Sequence, residues 1–487
     1  MQEFEQATMS TEVTSTTTPI TEFRHHMDNA MAGLAMTMFT LNILGLNYLL
    51  YTVGILLMLT AFRALRKMNR AFGACYVLSI ARAVLHFCSL ILNATIYGGT
   101  SPSVIIQYTC AAVTVLLLAF LRSGIRTAQK SVSITPHSGS LTCLLLFSLL
   151  FFTNVQLNGF VLAIGFLVVI IVIIRCLFGL VAELDEAGYA VKPTPIRIPD
   201  GTLVRSILLF LAAGIACGYI FGARYPMDWQ AVDASEHAEV QEIKVHLLEL
   251  GFPDYVLDDL TAEDILTCEG ALEVVVQTAD HAANDGREVR TTIGTHTQIE
   301  TVYDTKELRI TGVSVRLPGD RQHWKIFQHF LWQTNPGFCG TEALQIWPAC
   351  RSDMGWDLAD PYTGRVLYND GAITYEAPYY SLGSDTYTAD SIFWGKSQQT
   401  DVFTTFSMPR KGEQHRGYIS YGVQEMREGA IVDGWINYIH QESRFQYPVQ
   451  TAKQYRMNGG MFSHGPFRVM QDALQFYPAN EGVSPLQ

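Results

Sequence analysis

Carboxylates are missing from the most apolar parts of this chain. Six apolar stretches fall in its first 225 residues, at 43–62, 71–96, 104–121, 141–153, 159–181 and 203–221, and none holds an Asp or Glu. Proton- and cation-coupled carriers use intramembrane carboxylates as relays, and no internal repeat of the carrier kind is visible. An independent transporter is therefore disfavoured. Tryptophan is also absent there: all seven (Trp229, Trp324, Trp332, Trp347, Trp356, Trp394, Trp435) follow residue 225. The first 30 residues lack a basic start followed by an apolar core, so no cleavable signal peptide is expected. Six of the nine cysteines (Cys75, Cys88, Cys110, Cys143, Cys176, Cys217) sit in apolar stretches, where Cys acts as a small apolar residue. The remaining three exclude a disulfide-dense secreted scaffold. No nucleophile elbow, zincin helix, paired C-x-x-C, phosphate loop or dinucleotide fingerprint occurs. The nearest approach, Gly417-Tyr-Ile-Ser420-Tyr-Gly422, has the wrong spacing. No catalytic residue, metal ligand or cofactor is expected.

What is present is a pattern of charge. Basic residues crowd alternate links: Arg63, Arg66, Lys67 and Arg70, then Arg122, Arg126 and Lys130, then Lys192 and Arg197. The links 97–103 and 154–158 carry no charge. Cytoplasmic loops are the ones enriched in Lys and Arg. The expectation is a six-span plasma-membrane protein with both termini outside. Residues 1–225 hold 14 Lys and Arg against 9 Asp and Glu, whereas residues 226–487 hold 19 against 36. That break reads as a domain boundary. It divides the chain into a disordered Thr-rich external tail (1–29), a six-helix transmembrane domain (30–225), a short helical linker patch (226–270) and an extracytoplasmic domain (271–487). Helix 27–42 is expected at the outer surface. Beyond residue 271 hydrophobicity alternates with period two, and Asn369-Asp370-Gly371 is a hairpin signal. The fold class expected there is mainly antiparallel β, sandwich-like. The strong acidity argues against nucleic acid as a partner.

Candidate sites come in four groups. Arg82 and His86 lie four residues apart on one face of span two, either bonded within the bundle or forming an anion or ligand site. Gly214, Gly218 and Gly222 line one face of span six and favour close helix packing, within the bundle or with a second copy. Tyr379, Tyr380, Tyr387 and Trp394 stand among small polar residues in 376–394, which suits either a recognition loop for carbohydrate or peptide or a loop packed on the domain. Cys339 and Cys350 are a candidate disulfide. His323 and His329 share a face of one strand, too few for a zinc site.

The run Phe62-Arg-Ala-Leu-Arg-Lys-Met-Asn-Arg-Ala-Phe72, with Tyr76-Val-Leu-Ser-Ile-Ala-Arg82 and Leu248-Glu-Leu-Gly-Phe-Pro-Asp-Tyr-Val-Leu-Asp-Asp-Leu260, resembles segments of uncharacterised multi-pass membrane proteins of Gram-positive bacteria. The resemblance implies a bacterial plasma membrane and brings no activity with it. The expected function is binding: an outer domain takes a ligand, or a membrane or extracytoplasmic protein, and a helical bundle in the lipid bilayer anchors it. A transporter or transporter accessory for a solute or lipid is the alternative, and a surface hydrolase the weaker one.

Overall fold

A computed structural model describes residues 21–38, 45–150, 160–189, 198–232, 238–283, 287–293, 296–302, 306–348, 355–391, 395–443, 445–459 and 465–478. The chain forms two compact units: Met1–Leu92 with Gly99–Ala216, and Asn93–Gly98 with Cys217–Gln487.

The first unit is helical. It contains α1 (Glu22–Met38), α2 (Leu46–Leu65), α3 (Arg70–Leu92), α4 (Ser101–Ser131), α5 (Gly139–Leu150), α6 (Phe160–Glu186) and most of α7 (Asp200–Gly222). Among the described residues five helices are long and apolar enough to cross a membrane: Leu46–Leu65, Arg70–Leu92, Pro102–Ser131, Leu167–Glu186 and Asp200–Gly222. The stretch 141–153 forms the 12-residue α5, about 18 Å long against a hydrocarbon core of about 30 Å, and 151–159 lie outside the described residues. Much apolar side-chain surface is left uncovered, with Phe210 at 78% exposure and Phe221 at 83%. Surface of that kind is stable in lipid rather than water.

α1 differs from its expected surface position. Phe23, Met27, Ala30, Met31 and Leu34 are buried in the core of the helical unit with Phe62, Leu65 and Leu184. Glycines allow the close approach of α1 to α2: a Cβ on Gly33 would lie 2.5 Å from the Gly54 carbonyl oxygen, and one on Gly54 2.6 Å from that of Gly33. α1 also starts at an unexpected end. The Thr21 hydroxyl donates to Asp185 at the close of α6, Arg24 pairs with Asp185 at 3.6 Å, and Phe23 meets Tyr189 edge-on at 5.0 Å. His26 feels the charge of Asp200, and Asp200 is 2.7 Å from Arg63 near the end of α2. The start of α1, the ends of α2 and α6 and the start of α7 therefore share one side.

The second unit is mainly antiparallel β. One sheet has seven strands in the order β1 (Gln230–Ala231), β9 (Ile373–Pro378), β8 (Trp356–Asp370), β12 (Glu413–Glu425), β6 (His323–Trp332), β5 (Lys306–Leu317) and β2 (Glu273–Ala283). Another has five: β10 (Ser381–Ser391), β11 (Gly395–Phe406), β7 (Glu342–Pro348), β13 (Val432–Gln441) and β14 (Phe467–Phe476). β3 (Arg287–Ile293) and β4 (His296–Val302) form a separate hairpin. The expected turn joins β8 to β9, with Gly371 at φ 63°, a conformation open to glycine at no steric cost.

Period-two alternation decides what each face meets. In β6, Trp324, Ile326, Phe330 and Trp332 enter a core shared with Leu344 and Ile346 of β7 and Ile436 and Tyr438 of β13. Phe327 points the other way. There α8 (Ala238–Glu249), α9 (Asp254–Leu257) and α10 (Ala262–Leu266) lay Val240, Ile243, Leu247, Val256 and Ile265 against Val313, Val315 and Tyr418. Burying each large apolar side chain contributes about 1.5–3 kcal/mol. The expected linker patch is thus a helical layer packed on a sheet. Thr261 caps α10, its hydroxyl accepting from the Asp264 amide.

Candidate functional site

The outer face of the five-stranded sheet carries an aromatic shelf. β7 sends Leu344 and Ile346 inward, so Ala343, Gln345 and Trp347 face out; β13 does the same with Trp435, Asn437 and Ile439. The register then sets Trp347 opposite Trp435 and Gln345 opposite Asn437. The two indoles stack with centroids 6.0 Å apart and planes 24° off parallel, and both are half-buried. α11 (Ala452–Met457), started by the Thr451–Gln454 capping box, covers part of this face. Its Ala452 packs with Ala343, Ile439 and Phe467, and its Arg456 guanidinium lies 5.9 Å from the Trp347 ring centroid.

Polar groups converge beside the indoles. Asp401 Oδ2 accepts from the Tyr387 hydroxyl at 2.7 Å and from Gln345 Nε2 at 2.6 Å. Gln345 Oε1 accepts from Asn437 Nδ2 at 2.9 Å and from Arg456 Nε. Asp401, Gln345 and Asn437 are each 1% exposed, and Asn437 Oδ1 is buried without a partner. Burial, reinforced by the bond to Asp401, pushes the Tyr387 phenol up to about 12, so it stays a hydrogen-bond donor. Burial also lowers the Arg456 pKa. The arrangement leaves two flat indole faces and the Tyr387 phenol half-buried, held from behind by buried amide, carboxylate and guanidinium groups.

The tyrosines of 376–394 do not converge, because the segment is an extended strand and its approach. Tyr379 is buried in the inter-sheet core, its hydroxyl donating to the Tyr418 carbonyl at 2.9 Å. Tyr380 is 43% exposed and stacks on Tyr225 at 4.7 Å. Tyr387 alone reaches the shelf. Trp394 lies outside the described residues. The indoles that form the shelf, and Arg456 beside them, were not singled out by sequence.

Two buried carboxylates join the helical layer to the seven-stranded sheet. Asp264 accepts from Tyr418 (2.6 Å), Ser420 (2.8 Å) and Thr363 (2.6 Å) and faces the Lys325 ammonium at 3.8 Å. Asp259 accepts from His329 Nε2 at 2.9 Å and Arg416 Nε at 2.7 Å. Burial alone would raise the Asp259 pKa, but these donors hold it below the usual carboxylate value. Lys325, Asp264, Ser420 and Tyr418 are all 2% exposed or less, so this polar centre is a clamp rather than a substrate site. His323 faces Asp360 at 3.7 Å while His329 serves Asp259. Among the described residues no group of three or more His, Cys, Asp or Glu is arranged to hold a metal ion.

In the helical unit, Arg82 is 3% exposed. It donates to the Tyr51 hydroxyl at 3.0 Å, lies 5.2 Å from that ring centroid and approaches the Met58 sulfur at 3.6 Å. His86 Nε2 is 3.0 Å from the Thr52 hydroxyl. The two expected neighbours thus share one polar cluster with Tyr51. Gly214 would set a Cβ 2.7 Å from Ile91 of α3, and Gly222 one 2.6 Å from Thr95; Gly218 between them is half-buried. Cys339 donates to the Gly337 and Glu442 carbonyls at 3.4 and 3.3 Å, and Cys350 lies outside the described residues.

No protein-family model, curated protein or solved structure matches this chain.

Proposed function

We propose that this is an integral membrane protein whose C-terminal β domain, a sandwich held outside the membrane, binds a polar ring-bearing ligand of the saccharide type on the Trp347–Trp435 shelf. The single observation that carries the reading is the stacked, half-buried indole pair with Asp401, Gln345, Asn437, Tyr387 and Arg456 fixed beside it. Indole faces take the apolar C–H face of a sugar ring, and the half-buried Tyr387 phenol at their edge takes a hydroxyl, while buried Asp401, Gln345 and Asn437 hold that edge in place. The helical unit anchors the domain in a plasma membrane of the bacterial type and relays occupancy inwards.

The topology that fits is seven crossings, with α1 and the short α5 added to the five long helices. The basic links 63–70, 122–130 and 192–197 are then cytoplasmic, the N-terminus is cytoplasmic with them, and the C-terminus is external. This topology departs from the six-span reading at α1, where the contacts to Asp185 and Tyr189 carry the change. A cysteine introduced at Thr18 should resist a membrane-impermeant maleimide in intact cells while one at Ser484 reacts; labelling at Thr18 would restore an external N-terminus.

Binding is tested with full-length protein in detergent on a panel of neutral and charged oligosaccharides. Trp435→Ala should lose about tenfold in affinity with an unchanged melting temperature, taking the stacking of a sugar ring on an indole as comparable to the low end of the about 1–3 kcal/mol of base stacking on aromatics. A panel on which wild type and variant behave alike contradicts the reading. A second reading rests on Arg82: a buried intramembrane cation without a carboxylate favours a bundle that accepts a small anionic solute.

A further inference from the structure

A cavity of about 450 Å³ lies in the β unit at the end of α7, walled by the link Asn93–Gly98, by residues just past α7 and by the turn at Ser407–Pro409. Its walls are fixed. The Ile96 amide donates to the Gly222 carbonyl at 2.8 Å and the Val449 amide to Asn93 at 2.7 Å. The Tyr225 amide donates to the Ser407 hydroxyl at 3.0 Å. One side is apolar and open, with Ile220 at 68% and Phe221 at 83% exposure. The other carries Tyr97, Tyr225, Trp229 and Arg224.

Arg224 is the informative residue. It is half-buried, and one of its guanidinium nitrogens donates to the Met408 carbonyl. Among the described residues no carboxylate lies within ion-pair distance of it. Burial, then the nearby charge of Arg410, lower its pKa, and the charge of Glu342, beyond ion-pair distance, opposes them. A second feature marks the same end of the unit: Phe445 is 89% exposed and stacks on Tyr219 of α7 at 6.2 Å. An apolar ring that exposed is costly in water and suited to the lipid interface, as are Tyr97, Tyr225 and Trp229.

We infer that this cavity binds the phosphate-bearing headgroup of a phospholipid, with Arg224 as the cation that takes the phosphate and Ile220 and Phe221 beside the acyl chains. Charge decides the occupant: a desolvated guanidinium that no carboxylate among the described residues ion-pairs favours an anion, and the wall beside it calls for hydrocarbon. Only a molecule carrying both satisfies both. The inference rests on α7 being a membrane span and is independent of the shelf ligand.

The test uses full-length protein in dodecylmaltoside micelles with added dioleoylphosphatidylglycerol, dioleoylglycerol or inorganic phosphate. Phosphatidylglycerol should raise the melting temperature by about 3 °C, and the other two should not. Arg224→Gln should remove the rise and Arg224→Lys should keep part of it. Pro409→Glu, which supplies a carboxylate in the cavity, should also remove it and covers the case in which Arg224→Gln does not fold. An equal rise with dioleoylglycerol would mean that only chains are bound. A rise with inorganic phosphate alone would mean a site for the free anion. A rise that persists in both Arg224→Gln and Pro409→Glu would put the lipid elsewhere. Each of these three results overturns the inference.

Discussion

Buried charge is handled in opposite ways by the two units. The β unit surrounds its buried carboxylates with donors: Glu342 lies 3.0 Å from His440, Asp259 accepts from His329 and Arg416, Asp264 faces Lys325, and Asp401 accepts from Tyr387 and Gln345. Each pair also ties strands or layers together. The helical unit buries Arg82 with a ring, a hydroxyl and a sulfur as its partners and leaves Nε without one. The contrast follows from composition, since the apolar stretches hold no carboxylate to offer. It teaches that charge specifies the β fold, whereas the helical fold depends on shape, with Gly33 and Gly54 setting the closest helix approach.

The largest expected effect breaks the β side of this contrast. Asp264→Ala takes the counter-charge at 3.8 Å from buried Lys325 and removes an acceptor shared by the Thr261, Thr363, Tyr418 and Ser420 hydroxyls. It should cost about 3–5 kcal/mol and lower the β-unit melting transition of the full-length protein in detergent. A transition unmoved by the change would show that the clamp holds nothing. Next comes shape. Gly54→Leu forces a Cβ against the Gly33 backbone, and should cost about 3 kcal/mol in the helical unit alone, read from the loss of helical circular dichroism on heating.

A pH effect comes third. His415 is fully buried, stacked by Phe338 and Tyr368, and burial lowers its pKa from 6.5 to about 4. The folded state favours the neutral ring. Its contribution is complete above pH 6.5 and is lost as pH falls towards 4, reaching about 2 kcal/mol by pH 5. Stability of His415→Gln should therefore change less than wild type between pH 6.5 and 5; parallel curves would remove His415 as the cause. The smallest effect sharpens the helical side. Arg82→Met exchanges a poorly paired buried cation for an apolar chain of similar length, so stability should stay within about 1 kcal/mol or rise. A loss as large as that of Asp264→Ala would mean that Arg82 has a strong partner after all.

Much of the fold is legible in the sequence for a physical reason. Period-two alternation beyond residue 271 is met by the strands Lys306–Leu317 and His323–Trp332. Gly251 follows α8 with φ at 93°, a position that favours glycine. Thr261 before an acidic first turn is a local cap signal, whereas the reach of the Asp264 side chain across to the sheet is something no local pattern reveals. The sequence sets 27–42 apart because the apolar run 30–62 is too long for one span, and it does not reveal that the Met- and Ala-rich face of α1 is buried among the other helices of its unit. The shelf was illegible because Trp347 and Trp435 are 88 residues apart and meet only through the β7–β13 register. The available signal was weaker: each Trp sits out of phase with the core residues of its own strand. Density of aromatics in sequence pointed instead to 376–394, where extended backbone sends neighbouring tyrosines to different places.

The central claim is that the indole pair is a binding surface and not only a cross-strand contact. It is tested most directly by comparing full-length wild type with Trp347→Ala, Trp435→Ala and Trp435→Phe, titrating each with the best oligosaccharide from the panel and following both indole fluorescence and heat. The account predicts a fluorescence change in wild type, affinity lost in both alanine variants, partial affinity kept by Trp435→Phe, and melting temperatures within a few degrees of one another. Unchanged affinity in either alanine variant, or affinity that falls only in step with stability, would contradict it.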